Sequence, residues 1–192
     1  MGLNGKECDR MYCGTNKTAL QSQKQIASAM MALMAEKPFS QITVSELCKV
    51  AGISRQTFYT LCTSRETVMV FTLQAQYCDG PELSEPAHIA CRGDMLRRLC
   101  HGYSEYMLRN RSLIKLLVDN CIDYLLYDSF FDAMDSCDCF LPKADACLRS
   151  YAASFYAGGI ACVARRYAQE GCSSNVDQLE SLLMTLLSGS LF

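Results

Sequence analysis

The chain has 192 residues, half of them hydrophobic and a fifth charged, with a net charge of −2 at neutral pH. That length can bury a sizeable core in one or two small domains. The near-zero charge excludes a protein that coats nucleic acid with its whole surface. The average conceals a split, however. Residues 1–80 carry 8 Lys and Arg against 6 Asp and Glu, whereas residues 81–192 carry 10 against 14. A mildly basic first part and an acidic remainder suit a nucleic-acid-binding head on a body that need not touch the acid. The opening run MGLNGKECDRMYCG lacks the apolar segment of a secretion signal, and no apolar run is long enough to span a bilayer, so a cytoplasmic protein is expected. Thirteen cysteines then read mainly as small buried hydrophobes. Cys8 with Cys13 and Cys137 with Cys139 do not make paired C-x2-C zinc spacing, and His88 and His101 stand apart from both. Neither a metal nor a cofactor is expected.

In chain order, residues 1–14 carry no helical period and read as a tail. A helix is expected from about Thr18 to Glu36, with Ile26, Ala29, Met30, Leu33 and Met34 as its apolar stripe and Pro38 preventing continuation. Phe39 and Ile42 should fill the same small core. The run TVSELCKVAGISRQTFYTLCTSR, Thr43 to Arg65, reads as two short helices, a tight turn between them, and the start of a third. Thr43 with Glu46 three residues on is capping-box spacing, and Val44, Leu47, Cys48 and Ala51 make one apolar face. Gly52 supplies the turn because glycine takes positive φ without a Cβ penalty. Ser54 caps a second helix carrying Arg55, Gln56, Thr57, Phe58, Tyr59 and Thr60. This is helix-turn-helix wording, and its second helix offers Arg, Gln and Thr to base edges or phosphates. Taken alone, the pattern also describes an ordinary helical hairpin with a polar surface helix.

Ser64 can cap a further helix bearing Glu66, Val68, Phe71 and Leu73. The stretch DGPELSEP, Asp79–Pro86, holds two prolines and a glycine and reads as the linker between domains 15–80 and 81–192. Beyond it, helices are expected over Ala87–Asn110, Ser112–Val118, Cys121–Met134, Ala144–Glu170 and Val176–Leu187, the last capped by Asn175. No strand alternation competes, so the fold class is all-α. The glycines in AASFYAGGIACVA call for tight backbone packing to offset their helix penalty, and the last helix is apolar around much of its circumference. Those two helices suit either a dimer interface or packing within the chain. Tyr103, Tyr106, Met107, Tyr124, Tyr127, Phe131, Met134, Tyr151 and Phe155 suit either a ligand pocket or a filled core. No G-x-S-x-G, phosphate-binding glycine loop or H-E-x-x-H occurs, so no enzyme is expected.

The wider wording is more specific. Ile26 and Ala29, Phe39, Ile42-Thr43-Val44, Glu46-Leu47, Ala51-Gly52-Ile53-Ser54-Arg55, Thr57-Phe58-Tyr59, then Ser64-Arg65-Glu66 and Val68 follow one another in the order and spacing of a known head. Over about forty residues the chain resembles the N-terminal domain of the TetR/AcrR family of bacterial transcriptional regulators, and the remainder matches in general character. The resemblance implies a three-helix DNA-binding head, a helical effector-binding and dimerisation body, and a ligand-responsive homodimer, expected to repress, on a palindromic operator of double-stranded DNA. Gln56 and Thr57 are then expected at base edges, Arg55 and Ser54 within the same reading helix, and Thr43, Tyr59, Thr60 and Arg65 at the DNA backbone. Tyr103, Tyr106, Met107, Tyr124, Tyr127, Phe131, Tyr151 and Phe155 are expected around an unidentified small-molecule effector. The chain departs from the pattern after Tyr59, where Leu61 and Cys62 replace the family's polar aromatic and phenylalanine. That substitution removes an expected phosphate contact and core volume. It keeps a second reading open, a co-regulator that works mainly through a protein partner and binds DNA weakly.

Overall fold

The computed structural model describes residues 15–78, 92–137 and 140–188, and all their regular structure is helical. The chain divides into two compact units between Leu73 and Gln74. The expected linker Asp79–Pro86 lies outside the described residues, as do the expected tail 1–14 and the first residues of the helix expected from Ala87.

In the first unit, α1 (Lys17–Glu36) is capped by Asn16, whose side chain accepts the Thr18 N–H at 2.9 Å. Its expected stripe is buried, with Ile26 and Met30 fully enclosed. After Pro38 a short 3-10 turn (Phe39–Gln41) leads into α2 (Val44–Ala51). Then come α3 (Arg55–Leu61) and α4 (Arg65–Cys78), of which the residues up to Leu73 belong to this unit, with α1 packed on both α2 and α3. Phe39, Ile42, Leu47, Phe58, Val68, Met69 and Leu73 complete the core.

The second unit holds α5 (Arg92–Arg109), α6 (Arg111–Asp119), α7 (Tyr124–Asp135), α8 (Ala146–Gln169) and α9 (Val176–Leu187). α8 packs on α6 and α7, and Ala153, Ala157, Ile160, Ala164 and Ala168 are buried along it. α9 lies mainly against α5, and His101 Nδ1 meets Glu180 Oε2 at 2.8 Å between them. Helix ends differ from expectation where a cap decides them. α7 begins at Tyr124 rather than near Cys121, because Cys121 holds φ +57°, a conformation that breaks a helix. α8 begins after Asp145, whose carboxylate accepts the Leu148 N–H at 2.8 Å. Arg149 then ties this end to the end of α7 by donating to the carbonyls of Asp135 and Cys137. Asn175 caps α9 as expected, in a reciprocal box with Gln178.

The structure bears on one of the two packings expected of the glycines, the one within the chain. Outside its own helix backbone, a Cβ at Gly158 would meet nothing within 4 Å among the described residues, and one at Gly159 would make ordinary contact with Leu187 at 3.5 Å. Among the described residues, close backbone packing within the chain therefore accounts for neither glycine.

Candidate nucleic-acid interface

The turn between α2 and α3 closes by backbone geometry that requires glycine. Gly52 has φ +68° and ψ 30°. Its N–H donates to Lys49 O at 3.3 Å, and the Ile53 N–H reaches back to Cys48 O at 3.0 Å. These two bonds are the Schellman arrangement that satisfies the last carbonyls of a helix. The chain leaves in extended conformation at Ser54, whose hydroxyl accepts the Thr57 N–H at 3.0 Å and lies 2.9 Å from the Thr57 hydroxyl. A seven-residue helix is too short to persist on its own propensity. α3 persists because Phe58 is fully buried beneath it, with Leu61 beside it.

With Phe58 inward, Arg55, Gln56, Tyr59 and Thr60 are exposed. The Tyr59 ring stands edge-on to Phe58, with centroids 5.3 Å apart, which fixes its direction while about half of it stays in solvent. The Thr60 hydroxyl donates to Gln56 O at 2.9 Å. Of the residues expected at DNA, Arg55, Gln56 and Tyr59 therefore form one outward polar group on α3. Thr57 is half-buried with its hydroxyl engaged by Ser54.

Thr43 caps α2, accepting the Glu46 N–H at 3.2 Å. The Glu46 carboxylate forms an ion pair with Lys37, and that contact, aided by the Thr43 backbone and Lys49, holds its pKa below the ordinary carboxylate value. Arg65 has a different environment from the one expected of a residue on the DNA backbone. Its Nη1 donates to Phe39 O at 3.0 Å and to Ile42 O, and its guanidinium carbon lies 4.8 Å from the Phe39 ring centroid. Its side chain is 26% exposed, and Nη2 lies 3.8 Å from Glu66.

The departure at Leu61-Cys62 is absorbed by the core. Both side chains are buried, and the Cys62 N–H closes α3 on Phe58 O at 2.7 Å. Burial, assisted by nearby Cys48, pushes the Cys62 thiol up to about 12.

The eight residues expected around an effector do not gather in one enclosed space. Tyr103, Tyr106 and Met107 are buried, with both tyrosine rings edge-on to Phe130 at 5.0 and 5.7 Å. Tyr127 and Phe131 stack on each other at 6.1 Å and are half-buried. Tyr124, Tyr151 and Phe155 are instead exposed, Tyr151 by 74% and Phe155 by 68%. Helical period explains the separation: Ala153, Ala157 and Ile160 take the buried side of α8, so 151 and 155 must face away. With Leu148 they form an exposed apolar stripe on α8, and Leu182 and Leu186 are exposed on α9.

No family model and no curated protein matches the sequence. A solved structure described as the dihydroxyacetone kinase operon activator DhaS is similar, with a TM-score of 0.51 at 20% identity, covering 88% of this chain and 95% of that one. At that identity the likeness establishes a shared helical fold over nearly the full length of both chains.

Proposed function

We propose that the chain is a DNA-binding transcriptional regulator of the TetR/AcrR kind, working as a homodimer on a palindromic operator and responding to a small-molecule effector. The observation that carries this reading is the construction of α3. Its apolar side is locked by buried Phe58, its start is fixed by Gly52 and Ser54, and Arg55, Gln56 and Tyr59 project together from its outer side. Arginine and glutamine are the side chains that pair bidentately with guanine and adenine edges in the major groove. The similar structure is described as an operon activator, which agrees with a regulator and leaves the sign of control to experiment. Repression is the sign that the family resemblance implies.

One short reading helix contacts too few bases for specificity, and pairing two of them reads a two-fold site. The stripe of Leu148, Tyr151 and Phe155 on α8, with Leu182 and Leu186 on α9, is the proposed dimer face. An effector held among the body helices acts by binding one arrangement of the dimer better than the other. Among the described residues no helix is long and apolar enough to cross a membrane, and no group of His, Cys, Asp and Glu is arranged to hold a metal. The reading places the protein in the cytoplasm with its DNA.

Binding-site selection from random duplex DNA tests the proposal. The expected product is an inverted repeat whose half-sites lie about one helical turn or more apart. An enriched single half-site would reject the two-fold reading, and no enrichment would favour the protein-partnered alternative.

A further inference from the structure

We infer that Arg65 is a positioning residue of the reading head, one that orients Thr43 and places none of its own charge on nucleic acid. Its consequence for binding rests on the DNA-binding reading above. The Ile42 carbonyl stands immediately before α2, whose first intrahelical acceptor is Thr43 O, bonded by the Leu47 N–H at 2.9 Å. Ile42 O therefore lies outside the helical ladder, next to a side chain that is 1% exposed, where a carbonyl without a donor is costly. Arg65 supplies that donor and also binds Phe39 O, which already accepts the Ile42 N–H at 3.1 Å.

The two carbonyls bracket the 3-10 turn, so one guanidinium fixes the corner that leads into α2. The planar fork is what lets it do so while its face covers the Phe39 ring. Ile42 O and the Thr43 N–H share one rigid peptide plane. Holding the oxygen thus sets the direction from which the Thr43 hydroxyl, the cap of α2, faces outward. Glu66 at 3.8 Å and the two carbonyls leave the Arg65 charge turned into the head rather than towards a phosphate.

The test compares the full chain with R65K and R65Q. Without DNA, amide hydrogen exchange over Thr43–Leu47 should quicken about ten-fold in R65Q while the centre of α1 is unchanged, with R65K between the two. Unchanged exchange there overturns the clamp. With the selected operator, at a temperature where exchange shows both heads folded, R65Q should bind about ten-fold more weakly with an unchanged slope of log K against log salt. A slope shallower by about two units, one for each protomer, marks lost phosphate contacts and overturns the inference. Equal affinity of the folded variant reduces Arg65 to a structural role and overturns it as well. If R65Q does not fold, R65K carries both readouts against the wild type. A wild-type chain that binds no DNA at any salt sinks the DNA-binding reading, and the exchange measurement still decides the clamp.

Discussion

Gln56 is the side chain on which sequence discrimination should depend most. It is exposed on α3 while Phe58 is buried, and an amide paired bidentately with adenine discriminates by about 1–3 kcal/mol. Gln56→Ala is expected to flatten the base preference at one position of each half-site, measured by repeating the site selection. An unchanged preference removes Gln56 from the reading set. Thr57 is expected beside it, with one of its hydroxyl's hydrogen-bonding positions engaged by Ser54. The Ser54 cap was legible in the sequence, but this hydroxyl-to-hydroxyl contact was not, since the Thr57 side chain can turn either to Ser54 or to solvent. Arg65 was hidden for a stronger reason. Its partners Phe39 and Ile42 lie more than twenty residues away, and no local period announces a guanidinium aimed at two carbonyls.

The cysteines separate at the same scale. Cys48 and Cys62 are buried, whereas Cys121, Cys147 and Cys162 are exposed. Iodoacetamide at pH 8 should alkylate the exposed three and leave Cys48 and Cys62 intact until the head unfolds, as peptide mapping would reveal. Cys62 also gives the head an alkaline limit. The folded chain raises its thiol from an ordinary 9.0 to about 12, so it retains a proton that the unfolded chain releases. Stability is unaffected by this group below about pH 9 and falls as pH climbs from there towards 12. Denaturant midpoints across that range should decline less in Cys62→Ala than in the wild type.

Among the elements, the α2–α3 corner is the one whose failure removes the site while leaving most of the fold. Gly52 at φ +68° has open space around its missing Cβ, so an alanine there costs backbone strain rather than a clash, about 1–2 kcal/mol. Gly52→Ala should lower the thermal midpoint of the first unit by a few degrees and weaken DNA binding. A variant as stable as the wild type would contradict the left-handed turn. This corner was legible in the sequence because Gly-x-Ser combines a positive-φ residue with a cap at fixed spacing. The helix centres of the body were legible from their 3.6-residue period. Their ends were less so, since the start of α7 is set by the φ of Cys121 and the start of α8 by Asp145. The outward placing of Tyr151 and Phe155 was illegible for a related reason: aromatic composition does not reveal which side of α8 a ring occupies, and Ala153 and Ala157 take the buried side.

For the whole molecule, the exposed apolar stripe on α8 is the feature that most requires a partner. A second copy would remove Tyr151, Phe155 and Leu148 from water together, at about 25 cal/mol per Å² of apolar surface buried. If the proposed dimer pairs through this stripe, Phe155→Glu is expected to convert it to monomer in sedimentation or light scattering while the helical signal is retained. A variant that stays dimeric would move the interface elsewhere. The operator should then be bound about as weakly by the monomer as a single half-site by the wild type, because pairing is what joins two short contacts into one.

The central claim is that α3 and its surroundings bind DNA. Its most direct test is a titration of the full chain against the selected operator and a scrambled duplex across a salt series from about 50 to 200 mM. Specific binding that falls steeply with salt, by about a thousand-fold or more for a dimer making six or more phosphate contacts, is the predicted result. Equal affinity for both duplexes, or no binding at the lowest salt, would contradict the account.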